Sequence, residues 1–252
     1  MAPTVARVQL EPDTLQAFQA YIHNAEQEME SSLPNSESFL WCLRDSARAQ
    51  QMHAGLVLAQ YFSGHGPVEV PAGLIHDWIG ACFAAGATIE QTLAAIRNYD
   101  NHKNIYRPEV MDSRLLAHDG NYFRIYLRLL KKKIITVVLD TEHDVHYSQF
   151  DAASWSCRSC TTRTAEVENA GTAQEKTFLQ DTGHGFLWRL DSFWRFQGRG
   201  GGVFIECRAI SLSRNVPAGL GWIIDPIVRK LPRESLIKTL KDTRRAITDL
   251  TA

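Results

Sequence analysis

Two short motifs in this chain hold side chains that could ligate a metal or carry redox chemistry: Cys157-Arg158-Ser159-Cys160 and His143-Asp144-Val145-His146. A CxxC pair works when a turn or helix start brings both thiols to one point. The stretch around Cys157 and Cys160 reads as a strand, where positions three apart face opposite sides, and no second CxxC completes four ligands. It reads as two unpaired thiols. His143 and His146, with Asp140 and Asp144, would converge on a metal only if the chain bent there, and they read instead as decoration of a hairpin end. No metal or cofactor is expected.

Other polar groups are scattered. Arg128, Arg163, Glu166, His184 and Glu206 could include a buried pair for an acid–base step, although each reads first as an exposed sheet residue. Lys131, Lys132 and Lys133 could meet an anionic head group, and read as a solvated turn. Asp100, Asn101 and His102 read as the polar end of a helix. Gly198-Arg-Gly-Gly-Gly202 separates two strands and is not GxGxxG, and the chain contains no GxSxG elbow, P-loop or HExxH.

The 252 residues are 44% hydrophobic and 22% charged with a formal charge of −1, which excludes a generally basic surface for nucleic acid or anionic membrane. No run approaches the ~20 apolar residues of a membrane span. The first residues, MAPTVARVQLEPD, lack the charged and apolar regions of a secretory leader. Five cysteines at irregular spacing form no disulfide framework. A soluble protein is expected, cytoplasmic unless a leader has been trimmed.

These residues must be positioned by the elements around them. Asp13 can cap a helix with Leu15, Phe18, Tyr21, Ile22, Ala25 and Met29 on one face, and Pro34 breaks it. A second helix is predicted from Phe39 to about His53, then a strand over residues 55–62. Residues 73–86 read as a strand, and Thr88 with Gln91 forms a capping box for the next helix. From Glu109 strands follow one another: 109–119, 121–133, 134–140, 143–151, 154–169, 186–196 and 201–214. Their short connections predict an antiparallel meander.

Alternation assigns the faces. Phe123, Ile125, Leu127 and Leu129 oppose Arg124 and Arg128, while Phe186, Trp188, Leu190, Trp194 and Phe196 oppose Arg189, Asp191 and Arg195. Such a sheet is expected to be wetted on its charged face and covered on the other. A C-terminal helix from Leu231, with Pro232 in its first turn, can do the covering. Leu236, Leu240, Ile247 and Leu250 line one side, opposite Lys238, Lys241, Asp242, Arg244 and Arg245. Val203, Ile205, Cys207, Ala209 and Ser211 leave room for it to approach.

The order strand, helical segment, meander and long terminal helix, with Gly-Leu-Gly-Trp-Ile-Ile-Asp-Pro at 219–226 leading into that helix, resembles the START/polyketide-cyclase (SRPBCC, helix-grip) superfamily. Gly221, Trp222, Pro226 and the apolar stripe after Leu231 carry the likeness, and residues 131–143 and 165–169 fall where that superfamily has central strands. The expected fold is α+β: a curved antiparallel sheet gripping a long C-terminal helix over residues 68–252, with residues 1–67 as a helical extension packed on it.

The resemblance implies a non-catalytic carrier or sensor of a hydrophobic, lipid-like molecule. Phe123, Ile125, Leu127, Leu129, Phe186, Trp188, Leu190, Trp194, Ile205, Trp222, Ile227 and Leu231 are the expected ligand-binding residues. Two alternatives stay open. One is an enzyme of the cyclase/aromatase or hydrolase kind, marked by Arg163, Glu166 or Glu206 pointing into the cavity. The other is an interaction module with a filled core.

Overall fold

A short strand, β1 (Val8–Gln9), leads into helix α1 (Pro12–Ser31), whose buried residues Phe18, Ile22, Ala25 and Met29 fall at three- and four-residue spacing. The computed structural model describes residues 6–31, 39–132, 136–215 and 221–249, with 221–230 as helical backbone. The expected second helix is divided into a tight turn at Trp41–Leu43 and α2 (Ser46–His53). Asp45 causes the division by capping α2, its carboxylate accepting from the Ala47 N–H at 2.8 Å.

Strands β2 (Leu58–Tyr61), β3 (Val68–Val70) and β4 (Gly73–Ala85) follow. Thr88 then caps α3 (Ile89–Arg97) reciprocally with Gln91, the two backbone-to-side-chain bonds being 2.9 and 3.2 Å. A turn at Tyr99–Asn101 leads to the short α4 (His102–Ile105).

The meander is β5 (Val110–Asp119), β6 (Tyr122–Lys132), β7 (Thr136–Gln149) and β8 (Ser154–Glu168). Two short strands, β9 (Lys176–Thr177) and β10 (Thr182–Gly183), precede β11 (Arg189–Gly198) and β12 (Gly202–Arg214). The main sheet runs β2-β4-β12-β11-β8-β7-β6-β5, every pairing antiparallel, with β3 added to β4 and β9 to β8. It draws strands from both sides of residue 67.

The two strands expected over 134–151 are one. The polar residues that suggested a turn are held in the ladder by cross-strand partners: Asp140 takes a bidentate Arg128 at 2.8 and 2.9 Å, and Glu142 pairs with Arg124 at 3.1 Å. His143 and His146 therefore sit mid-strand on opposite faces, not at a hairpin end.

Helix α5 (Gly221–Thr248) starts ten residues earlier than expected, so Pro232 lies inside it. Proline there removes one backbone hydrogen bond without ending the helix. Leu236, Leu240 and Ile247 are buried against the sheet, while Leu250 lies outside the described residues. Asp242, expected on the wet side, is buried by its pairs with Lys238 and Arg245. The helix packs directly on Gly80 of β4, where a Cβ would stand 2.8 Å from Leu240 Cδ1 and 2.8 Å from the Leu58 carbonyl. Only glycine lets the helix lie this close.

The outer face is not wetted along β4, β12 and β11. Helix α1 covers it with Phe18, Ile22 and Met29 against Ile75, Phe193, Ile210 and Leu212. Phe39, Leu40 and Met52 cover Ala81, Phe83 and Phe204. Charged residues on this face are buried because they are paired. Arg208, 3% exposed, donates to both oxygens of Asp77 and to Glu28, while the Tyr21 hydroxyl donates to Asp77 at 2.9 Å. Arg195 donates to the carbonyls of Met29 and Phe39, and Glu206 accepts from the Cys42 N–H at 2.9 Å.

Removing one partner of a buried pair strands the other charge, at a cost of about 3–5 kcal/mol. Asp77→Ala should lower the unfolding free energy by about that much. Urea denaturation monitored by tryptophan fluorescence measures it, and a loss under about 1 kcal/mol would mean that α1 does not depend on this pair.

Candidate ligand cavity

Between the sheet and α5 lies a cavity of about 340 Å³. Its floor comes from β6 and β7 (Ile125, Leu127, Leu129, Leu139, Val145) and from β11 and β12 (Leu190, Ser192, Trp194, Cys207, Ala209). Its roof is α5, through Leu231, Pro232, Ser235, Leu236 and Thr239. Ile96, Tyr99, His102 and Tyr106 close one side. Phe186 and Leu187 close another, from the segment ahead of β11.

That segment is tethered by Glu166, whose carboxylate accepts from the backbone N–H groups of His184 (2.8 Å) and Gly185 (2.9 Å) and from His184 Nδ1 (2.9 Å). The packing is too close for side chains: a Cβ on Gly183, at φ +140°, would lie 2.8 Å from the Glu166 carboxyl.

The residues expected from the sequence divide into three groups. Ile125, Leu127, Leu129, Phe186, Leu190, Trp194 and Leu231 line the cavity. Phe123, Trp188 and Ile205 do not. Phe123 packs between Tyr99, His118 and Tyr147 at the edge of the core. Ile205 is fully buried in the core that Leu236 and Leu240 share. Trp188 lies on the opposite face, in the cluster under α1. It precedes β11 in an irregular segment around Gly185 (φ +72°), so strand alternation does not extend back to it. For Trp222 and Ile227 the backbone is helical and the side chains fall outside the described residues.

Several lining residues were not expected as ligand contacts. His102 is buried, with Nε2 at 2.8 Å from the Ile96 carbonyl, and burial pushes its pKa down to about 4. His143, 4% exposed, is pushed down to about 4 by the same cause. Tyr99 and Tyr147 share a hydroxyl–hydroxyl bond of 2.9 Å. Lys131, read as a solvated turn residue, reaches the rim, where it donates to Ser235 Oγ at 2.9 Å and burial lowers its pKa. His76 and Glu109 also line the cavity.

Arg163, Glu166 and Glu206 stand outside the lining: Arg163 pairs with Glu142, Glu166 holds the 184–186 backbone, and Glu206 faces Cys42. Cys157 lines the cavity while Cys160 faces the other side, as strand spacing requires. Among the described residues no group of three or more His, Cys, Asp or Glu could hold a metal ion.

No protein-family model matches the chain, and no curated protein matches it by sequence. Among solved structures, a lipid-transfer protein fragment (STAR-related, residues 25–204) from Xanthomonas axonopodis superposes with a TM-score of 0.50 and 14% identity, covering 73% of this chain and 99% of the other. The protein TTHA0849 from Thermus thermophilus gives 0.48 and 13%, with 71% and 99% covered. The Zhui aromatase/cyclase from Streptomyces sp. R1128 gives 0.45 and 8%, with 71% and 96% covered. The strand order, the terminal helix and the Xanthomonas superposition define a START-like helix-grip fold. No helix among the described residues is long and apolar enough to cross a membrane.

His102 and His143, two of the three histidines that line the cavity, give stability a definite pH dependence. Their folded pKa values lie near 4, below the ordinary 6.5, so between these pH values the unfolded chain binds protons that the folded chain does not. Stability falls as pH falls through this window, by about 1.4 kcal/mol per pH unit for each histidine. Asp191 and Glu206, whose carboxyls burial holds above the usual range, oppose this at its acid end. His102→Gln should flatten the slope by one histidine's share in urea titrations at pH 6.5, 5.5 and 4.5; an unchanged slope would refute the assignment.

Proposed function

We propose that this chain binds or carries an apolar small molecule in the cavity between the sheet and α5. The observation that carries the proposal is the cavity itself: about 340 Å³ of space lined mostly by aliphatic and aromatic side chains. Small-molecule sites run from about 300 to 1,000 Å³ and are mostly apolar with a few placed polar groups. This one falls at the small end, fitting a compact molecule. The fold shared with a protein named for lipid transfer supports the same reading.

Ala209 and Ser192 face the cavity from adjacent strands, paired with each other across β11 and β12. Ala209→Trp, or Ser192→Phe, places a ring in the space without touching the core under Gly80. Titration with the fluorescent probe N-phenyl-1-naphthylamine should show saturable binding to the wild-type chain, weakened about tenfold or more in either variant. The melting temperature should be retained. Variants that bind the probe as tightly as the wild type would rule out the cavity as the site.

A further inference from the structure

The cavity floor contains one polar side chain whose hydrogen-bonding state can be deduced. The Thr141 hydroxyl donates its single proton to the Leu127 carbonyl at 3.1 Å. The 3.0 Å contact between Thr141 Oγ1 and His143 Nε2 must then run the other way, with Nε2–H donating to the hydroxyl oxygen. Burial without a neighbouring carboxylate keeps the imidazole neutral, so with the proton on Nε2 the other nitrogen, Nδ1, is a bare acceptor. Nδ1 is buried and has no hydrogen-bond partner among the described residues. Ile125 directly across on β6 and Val145 two residues on carry no side-chain donor, and Thr161, across on β8, gives its hydroxyl proton to the Leu190 carbonyl.

A buried acceptor without a donor is destabilising, and a ligand that supplies the donor gains what the apo protein lacks. We infer that the cavity selects an apolar molecule carrying a hydroxyl or comparable donor, which is received by His143 Nδ1. This rests on the cavity being the binding site and adds the chemical class of its occupant. Thr141 is a positioning residue: by accepting from Nε2–H it fixes the tautomer that leaves Nδ1 free to accept. A carbonyl or ether oxygen meets only another acceptor at this point. The site therefore discriminates between molecules of the same shape by the presence of one proton.

The test uses 2-naphthol and 2-methoxynaphthalene, which share a body and differ in that proton, titrated into the full chain at pH 7. The wild type should bind the naphthol about tenfold more tightly than the ether. In His143→Phe the ratio should fall toward one while affinity for the ether is kept. An equal ratio in both chains overturns the inference alone. Failure of both probes to bind overturns the cavity reading together with it. A second measurement needs no variant: long-range 1H–15N spectra should show His143 Nδ1 unprotonated in the free chain and shifted by the naphthol but not by the ether. A proton on Nδ1 in the free chain would sink the idea.

Discussion

A single helix cannot cover a sheet this wide. Eight strands lie side by side on the main path, spanning about 34 Å at about 4.8 Å per strand, whereas a helix with its side chains is about 10 Å across. Helix α5 accordingly lies over β2, β4 and the near edge of β12, where Gly80 lets Leu236 and Leu240 reach the backbone. Beyond that edge the sheet still presents Ile125, Leu127, Leu129 and Leu139 on the same face. The helical segment 89–105 and the segment ahead of β11 close this remainder at its sides. The space that these separate pieces leave unfilled is the cavity.

The other face is closed by a different chemistry. Residues 12–31 and 39–53 bring apolar side chains to this face and also supply partners for its charged groups. Arg208, Asp77 and Glu28 form a chain of charge-assisted bonds across α1, β4 and β12, and Phe62 stacks 3.5 Å from the guanidinium. An ion pair so placed adds little net stability over an apolar pair, yet it permits few arrangements. Helix α1 can slide along an apolar face, but not while Glu28 and Tyr21 must both meet this pair.

Much of this was legible in the sequence, and where it was not the reasons are local. Alternation placed Ile125, Leu127, Leu129, Leu190 and Trp194 correctly because β6 and β11 are regular there. The Thr88 capping box and the glycine-bounded β4 needed only nearest neighbours. Trp188 went to the wrong face because alternation was carried back past the start of β11. In β8 a register shift leaves Thr162 without a partner between the pairs Glu142–Arg163 and His143–Thr161. Cys157 and Ser159 therefore line the cavity from odd positions, while Glu166 lies directly across from Leu139 at an even one. Charged residues on the outer face were read as wet, since nothing in Arg195 or Arg208 itself announces that a helix will supply its partners. His143 was hidden for a related reason: its role depends on Thr141 and Leu127 across a pairing that spacing alone does not reveal.

The grip is not equally strong along its length. Where α5 crosses Gly80, separation would expose Leu236 and Leu240, each worth about 1.5–3 kcal/mol of burial. At the other side the helix is held by polar contacts near solvent. Lys238 bridges Glu109 and Asp242, Arg245 reaches the Ile105 carbonyl, and Lys131 holds Ser235 from β6. Lys238 and Glu109 are partly exposed, and a pair of that kind contributes about 0–1 kcal/mol, whereas Asp242 is buried. This rim is held by polar contacts where β4 is held by apolar ones, and it borders the cavity through Tyr106, Glu109 and Ser235. The same helix is thus fastened by apolar contact at Gly80 and by hydrogen bonds at the border of the cavity.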